Sequence, residues 1–310
     1  MSQFIVNILK FMIAPEYLSK GSKIAIVATA RKISENEISD AVHYLRDMGF
    51  VPVYDERLFE TCHQFAGNDV HRAAVLQEYL DDDEIDAILC ARGGYGTVRI
   101  IDNVDFGAFA NKPKWIIGYS DVTVLHTKIQ SLGYQSIHAT MPVNFKENTS
   151  LSWQSMMQIL TGDNLCYEVG NNELNKKGYV EGELVGGNLS VLYSLLGSDI
   201  FPDTDGKILF IEDLDEYLYH IDRMMMALRR AGKFKGLAGL VVGGLTRMHD
   251  NDVPFGMTVE EIVAEKMKDI DIPVCFGMPF GHLDDNRALV LGAKYSLSVD
   301  DEHSLLCRIC

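Results

Sequence analysis

Three residues of this sequence, each near the end of a predicted strand, carry the side chains of a catalytic serine, acid and base. Ser120 follows an apolar run that ends at Gly118, Glu212 follows the run Lys207–Ile211, and His282 lies in a glycine-rich loop. A serine hydroxyl becomes a nucleophile when an imidazole accepts its proton and a carboxylate orients that imidazole. The order serine, acid, histidine therefore predicts acyl transfer by a nucleophilic serine.

The segment Gly118-Tyr119-Ser120-Asp121 predicts a sharp turn between a strand and the following helix. Such a turn lifts a serine hydroxyl out of the backbone. The motif is not a complete G-x-S-x-G, and a serine at this place can instead cap the helix by binding its backbone N–H groups. Both interpretations stay open from this motif alone.

The glycine-rich loop Ala91–Thr97 follows a strand and opens a helix, so its backbone N–H groups can face an anion. It lacks the lysine of a Walker motif and the spacing of a dinucleotide fingerprint, so neither ATP nor NAD is expected. We expect it to form an oxyanion hole, from the backbone N–H groups of Gly93, Gly94 and Asp121.

Acidic residues and histidines raise the question of a metal. Taken alone, Glu212 is more simply a solvated acid at a strand end, and Asp213, Asp215 and Glu216 follow it closely. A cluster of carboxylates can bind a cation, but no H-E-x-x-H motif is present. We expect no metal and no cofactor. Among the other histidines, the pattern places His126 on the helix after the serine, as a core or supporting residue, and His249 in a surface loop.

Composition limits the partners and the compartment. The chain has 310 residues and a formal net charge of −16, which would repel a nucleic-acid backbone. An anionic substrate would need a local cation, and the candidate contacts are Arg92, Tyr95, Arg99 and Arg287. No apolar stretch is long enough to span a membrane, and Met1–Ala14 does not resemble a signal peptide.

The six cysteines are scattered and fit a reducing compartment, which favours the cytoplasm. Cys307 and Cys310 form a lone C-x-x-C. Because no second pair accompanies it, a terminal strand is preferred over a metal or redox site.

Strands and helices alternate through the first half of the sequence. The apolar patterns predict strands at Lys23–Ala30, Val51–Tyr54, Ile85–Cys90 and Trp115–Gly118, and helices after Ser34 and at Asp69–Leu80, Val122–Gln130 and Ser152–Leu160. This alternation predicts a parallel sheet, in which ligands bind at the carboxyl ends of the strands.

The second half is richer in strands. The patterns predict helices at Asn188–Leu196 and around Ile221–Leu228, and strands at Lys207–Ile211, Leu237–Val242, Pro273–Phe276, Ala288–Leu291, Tyr295–Val299 and Ser304–Ile309. The polar stretch Gly170–Gly178 has linker composition. We therefore expect two domains, an N-terminal α/β domain over 1–165 with the nucleophile, and a C-terminal domain over 166–310 with the acid and the base.

From about Pro15 to its end, the sequence resembles the LD-carboxypeptidase, or muramoyltetrapeptide carboxypeptidase, family, which includes the microcin-C self-immunity peptidases. The resemblance rests on six motifs in order: Phe65-Ala66-Gly67, Ala91-Arg92-Gly93-Gly94-Tyr95-Gly96-Thr97, Gly118-Tyr119-Ser120-Asp121, Val185-Gly186-Gly187-Asn188-Leu189, Ile211-Glu212-Asp213 and Gly281-His282.

The resemblance implies a flavodoxin-like N-terminal domain with a parallel sheet, a smaller β-rich C-terminal domain, and a site between them that uses Ser120, Glu212 and His282. It also implies a cytosolic homodimer that removes the terminal D-alanine from peptidoglycan stem tetrapeptides during murein recycling. The muropeptide would be a small-molecule substrate, with no nucleic acid and no membrane as partner.

The sequence departs from the family at His138-Ala139-Thr140-Met141-Pro142, where a glycine and a proline are more usual between the histidine and the methionine. The segment between Asp213 and His220 is short and lacks the tryptophan-bearing insertion of the immunity peptidases, which favours the cell-wall branch. Two alternatives stay open: an immunity-type amidase acting on acyl-amino-acid or peptide-nucleotide conjugates, and a non-catalytic α/β binding protein in which Ser120 only caps a helix.

Overall fold

The computed structural model describes residues 12–309, which form two β-sheets with helices packed against them. In chain order the strands are β1 Lys23–Val27, β2 Val51–Val53, β3 Ala87–Cys90, β4 Trp115–Gly118, β5 Ser136–His138, β6 Cys166–Gly170, β7 Gly178–Asn188, β8 Ile208–Leu214, β9 Gly239–Thr246, β10 Val274–Cys275, β11 Leu289–Leu291, β12 Lys294–Val299 and β13 His303–Arg308. The α-helices are α1 Glu35–Asp47, α2 Asp69–Asp81, α3 Thr123–Ser131, α4 Ser150–Leu160, α5 Leu189–Ser194, α6 Leu218–Arg230 and α7 Val259–Lys266.

The first sheet has the strand order β11-β5-β4-β3-β1-β2, and β1 to β5 are parallel. The order 2-1-3-4-5 of its parallel strands is that of flavodoxin-like folds. Strands β3 and β4 are buried at every residue, as expected for a sheet covered on both faces. Ser34 and Glu37 form the predicted capping box at the start of α1, with the Ser34 N–H donating to Glu37 Oε2 at 2.8 Å.

The second sheet has the order β10-β9-β8-β7-β12-β13-β6. Strands β7 to β10 are parallel, whereas β12, β13 and β6 pair antiparallel. Helix α6 packs over the parallel part, burying Ile221, Met224, Met225 and Leu228 as the apolar spacing predicts. The second sheet therefore combines a parallel region with an antiparallel region. In the parallel region the carboxyl ends of the strands lie at one edge, where ligands bind in such sheets.

Strand β11 connects the two halves of the chain. It follows the predicted boundary at residue 165 but pairs antiparallel with β5, matching Leu289 with His138. One apolar cluster contains Trp115 and Ile137 from the first half together with Phe280 and Val290 from the second. The two halves thus share a core, and the division at 165 stays a prediction.

Several elements differ from those that the sequence predicts. Strands β5, β6 and β7 and helix α7 are additional, and β8 continues to Leu214 instead of ending at Ile211. Short strands and strands with several glycines have weak apolar periodicity, which explains why the pattern misses them. No helix within residues 12–309 is long and apolar enough to cross a membrane.

One pair of cysteines does not fit the expectation, drawn from their scattered positions, of a reducing compartment. Cys166 on β6 and Cys307 on β13 lie directly opposite each other in the sheet and form a disulfide. Their 141-residue separation hides this proximity from the sequence. Cys307 does lie in a terminal strand, as predicted, whereas Cys310 and Met1–Phe11 lie outside the described residues.

Candidate active site

Ser120 lies on a strained turn at the carboxyl end of β4. Its φ angle is +64°, a left-handed value that costs a non-glycine residue about 1–3 kcal/mol. Ser120 is the first residue of a short 3₁₀ turn that leads into α3, and the N-cap positions of the turn and of the helix are occupied by Tyr119 and Val122 instead. This is the geometry of a nucleophile elbow and not that of an N-cap serine.

Glu212 and His282 form a hydrogen-bonded pair. His282 Nδ1 lies 2.6 Å from Glu212 Oε2, and the His282 backbone N–H donates to the same oxygen at 3.2 Å. Glu212 is fully buried, and its Oε1 has no hydrogen-bond partner among the described residues. Because the carboxylate engages Nδ1, the imidazole presents Nε2 as the nitrogen that can accept a proton.

Glycines bring the histidine loop against β8. The ladder between β8 and β9 shifts register between Ile211 and Asp213, so Glu212 lies at an irregularity that redirects its side chain. Gly281 has φ +94°, and a Cβ placed on it would lie 2.5 Å from Glu212 Oε2. Only glycine permits this approach, which explains why the loop before His282 has this composition.

The environment of His282 favours its protonated form. Burial by itself lowers the pKa of the imidazole, but the charge and the hydrogen bond of Glu212 outweigh burial, and Asp213 adds to them. The pKa of His282 is therefore raised above its usual value of 6.5, although Arg247 opposes the shift. An imidazolium that forms during proton transfer from a serine would be stabilised in the same way.

Asp121 fixes the glycine loop beside Ser120. Its buried carboxylate accepts the backbone N–H groups of Thr97 at 2.9 Å and Gly96 at 3.3 Å. Burial raises the pKa of Asp121, and these hydrogen bonds oppose that rise. A Cβ on Gly93 would lie 3.2 Å from Ser120 Cβ, so the loop packs directly on the serine.

Within residues 12–309, no acceptor is found for the backbone N–H groups of Gly93, Gly94 and Asp121. These are the three groups predicted to form the oxyanion hole. Their assignment as donors to an oxyanion stays a prediction, and free N–H groups next to the serine are what it requires.

Ser120 and His282 line one cavity of about 600 Å³. The predicted contacts Arg92 and Tyr95 line it too, and Arg92 Nη1 is paired with Glu37 Oε1 at 3.1 Å. Arg99 and Arg287 are not among the described residues that line it. Their guanidinium groups pair with Asp69 and Asp285, respectively. The structure therefore does not support these two as substrate contacts.

The sequence patterns did not single out two further residues that line this cavity, Arg31 and Glu147. The carboxylates of Asp213, Asp215 and Glu216, considered above as a possible cation site, line it as well. Burial and the charge of Glu212 raise the pKa of Asp213 to about 7. No cluster of metal-ligating side chains is found in the described part of the chain.

Asp213 is held by three donors. Asn188 Nδ2 and the backbone N–H groups of Ser190 and Leu214 donate to its carboxylate at 2.9–3.0 Å. Sequence analysis names Asp213 only as part of a carboxylate cluster and of the motif Ile211-Glu212-Asp213, and neither pattern predicts this supporting role. Asp213 thereby ties the start of α5 to β8 beside the Glu212–His282 pair.

The supporting histidines occupy different places. His126 is fully buried, and its ring nitrogens lie 2.9 Å from Ser136 Oγ and from the Gly118 carbonyl oxygen, so it is the core residue that the pattern predicts. Burial lowers its pKa to about 4. His249 is exposed and pairs with Asp215 at 2.6 Å, as a surface-loop residue would.

A left-handed serine, a histidine–carboxylate pair and free backbone N–H groups around one cavity at the strand ends of an α/β fold can together perform acyl transfer to water. The fold and the site therefore define the class of α/β hydrolytic enzymes, and comparison with known proteins gives the family.

A family model described as the LD-carboxypeptidase N-terminal domain matches residues 24–139, and one described as the C-terminal domain matches residues 181–297. The Bacillus subtilis (strain 168) protein named "Probable murein peptide carboxypeptidase" is 33% identical over 302 residues, which cover 94% of this chain and 93% of that protein. The murein tetrapeptide carboxypeptidase of Pseudomonas aeruginosa is 27% identical, with 87% and 91% covered. The chain belongs to the LD-carboxypeptidase family, and it is a hydrolase of the carboxypeptidase class.

Solved structures share the whole fold. The muramoyltetrapeptide carboxypeptidase from Oxalobacter formigenes has a TM-score of 0.85 at 27% identity, covering 93% of this chain and 98% of that one. The microcin C7 self immunity protein MccF in complex with aspartyl sulfamoyl adenosine has a TM-score of 0.85 at 22% identity, covering 96% and 99%. These likenesses confirm the predicted α/β fold class, in which a flavodoxin-like parallel sheet in the N-terminal part is followed by a β-rich C-terminal part.

Proposed function

We propose that this protein is a serine carboxypeptidase that cleaves the L,D-peptide bond to the terminal D-alanine of peptidoglycan stem tetrapeptides. The observation that carries the proposal is that His282 is paired with buried Glu212 and lines the same cavity as Ser120. The names of the Bacillus subtilis and Pseudomonas aeruginosa relatives support a murein peptide as substrate.

In the proposed mechanism, His282 Nε2 accepts the proton of Ser120 Oγ as the oxygen attacks the scissile carbonyl carbon. Glu212 keeps Nδ1 protonated and stabilises the imidazolium. Backbone N–H groups of Gly93, Gly94 and Asp121 donate to the oxyanion. When the C–N bond breaks, His282 gives its proton to the amine of the leaving D-alanine. Water, deprotonated by His282, then hydrolyses the acyl-serine ester and restores the enzyme.

The test is a substrate panel with purified L-Ala-D-Glu-meso-diaminopimelate-D-Ala, its L-lysine counterpart, and the same peptides ending in L-alanine. Release of alanine, followed by mass spectrometry, is expected from the D-terminated peptides and not from the L-terminated controls. Equal release from both would contradict an L,D-specific activity.

One finding favours a second candidate. The structures with the same fold include MccF in complex with glutamyl sulfamoyl guanosine, at a TM-score of 0.84. An immunity-type amidase on such conjugates would use the same three residues with a different pocket. Here β8 reaches Leu214 and α6 begins at Leu218, which leaves no room for a long insertion between them. Cleavage of an aminoacyl sulfamoyl nucleoside, with no release of D-alanine from tetrapeptides, would favour the amidase.

The cellular role extends the proposal. We also propose that the enzyme acts on free tetrapeptides during murein recycling, that it does so in the cytoplasm, and that it is a homodimer. Fractionation of cells that carry a tagged copy tests the compartment, and sedimentation of the pure protein tests the assembly. A periplasmic or monomeric protein would refute the corresponding part.

A further inference from the structure

Arg31 is the cation of the catalytic cavity that no partner neutralises. It lies in the loop after β1 and lines the cavity together with Ser120 and the glycine loop. Among residues 12–309 its exposed guanidinium has no ion pair and no hydrogen bond, whereas Arg92 is paired with Glu37. An unpaired arginine has all its donors available for a bidentate carboxylate.

Arg31 packs closely against the glycine loop. A Cβ built on Gly94 would lie 2.2 Å from Arg31 Cδ and 2.7 Å from Cγ, so the aliphatic part of Arg31 lies against that glycine. Gly94 is also one of the proposed oxyanion donors. The aliphatic part of Arg31 therefore lies beside a residue whose N–H group would bind the oxyanion.

This placement fits the terminal residue of a peptide. The carboxylate of a C-terminal amino acid is only one residue beyond the scissile carbonyl, and successive Cα atoms are about 3.8 Å apart. Four carboxylates line the same cavity and would repel that group. An ion pair with Arg31 would offset this repulsion.

We propose that Arg31 binds the C-terminal carboxylate of the substrate and thereby makes the enzyme a carboxypeptidase. This inference rests on the proposed function and adds the residue that sets its exopeptidase specificity. Arg31 takes the place of Arg99 and Arg287 as the candidate contact for the substrate carboxylate, because the guanidinium groups of those two arginines are paired with Asp69 and Asp285.

The experiment compares the tetrapeptide acid with the same tetrapeptide carrying a C-terminal D-alaninamide, in the wild type and in Arg31→Gln, Arg31→Lys and Lys32→Gln. Lys32→Gln is the matched control because it removes the same charge from the neighbouring exposed residue, which does not line the catalytic cavity. Release of D-alanine or D-alaninamide is measured as kcat and KM.

For Arg31→Gln, kcat/KM on the acid is expected to fall about 10- to 100-fold, mainly through KM. Its activity on the amide should stay within about threefold of wild type. Arg31→Lys should recover part of the loss in kcat/KM on the acid, and Lys32→Gln should keep the wild-type ratio of kcat/KM on the acid to that on the amide.

Equal losses on acid and amide in Arg31→Gln, or no loss, would overturn the role of Arg31 and leave the proposed function intact. Wild type that releases neither product would refute both.

Discussion

Glu212 is a buried carboxylate with one acceptor oxygen committed to His282 and the other without a partner among the described residues. Burying a charged group is costly unless another group compensates it. The hydrogen bonds that Glu212 Oε2 makes with His282 Nδ1 and with the His282 backbone N–H offset part of this cost. In the proposed mechanism Glu212 also orients the imidazole and stabilises its cation, which gives a functional reason for burying the acid.

Glu212→Gln should lower kcat by roughly 1,000- to 10,000-fold with an unchanged fold, because an amide can donate to Nδ1 and favour the wrong tautomer. D-alanine release and circular dichroism measure the two properties. Activity within tenfold of wild type would show that Glu212 does not orient the base.

The raised pKa of His282 predicts a pH profile. The base must be neutral to accept the serine proton, so kcat/KM should increase as the pH rises through the pKa of His282, with the midpoint above 6.5. Asp213→Asn removes a charge that raises this pKa, so its midpoint should shift to lower pH. An acid limb below 6.5 in the wild type, or an upward shift in the variant, would contradict this assignment.

At the scale of the elements, the catalytic pair depends on loop geometry at β8 and before His282. Gly281 and Gly277 both have positive φ angles, +94° and +80°. A Cβ would meet Glu212 at Gly281, whereas nothing lies within 4 Å of one at Gly277. An alanine at Gly277 would therefore introduce backbone strain alone. An alanine at Gly281 would introduce backbone strain and also displace Glu212.

Gly277→Ala should cost about 1–2 kcal/mol of stability and keep its activity per folded molecule. Gly281→Ala should cost more and should also lose most of its kcat, because Glu212 must move. Urea unfolding and D-alanine release measure both effects. Equal activity in the two variants would show that the Gly281–Glu212 contact does not position the acid.

The sequence predicts the elements around Ser120 well, but it predicts poorly which residues line the cavity and could contact a substrate. Strand β4 and the capping box of α1 follow from local apolar pattern and side-chain chemistry. The meeting of Glu212 with His282 is also predictable, since both follow apolar runs. Arg31 belongs to no motif, and its freedom depends on which other arginines find acidic partners in the fold. Cys166 and Cys307 meet only through the register of β6 and β13.

At the scale of the whole molecule, β11 couples the halves. It completes the first sheet with Leu289–Leu291 while the strands on either side of it in the sequence, β10 and β12, belong to the second. Removing residues after 165 would uncover the edge of β5 and part of the shared core. The halves are therefore expected to depend on each other for stability.

Cooperative unfolding tests that dependence. Both tryptophans, Trp115 and Trp153, lie in the first half, so fluorescence reports on that half while far-ultraviolet circular dichroism reports on both. The urea transitions from the two probes should coincide. Fluorescence and circular dichroism midpoints that differ clearly would instead indicate two independently stable domains.

The central claim is that Ser120 is the nucleophile, and Ser120→Ala tests it most directly. D-alanine release from L-Ala-D-Glu-meso-diaminopimelate-D-Ala should be at least roughly 1,000-fold slower than in wild type, while the variant keeps its fold by circular dichroism. Release by folded Ser120→Ala within tenfold of the wild-type rate would contradict the acyl-enzyme mechanism.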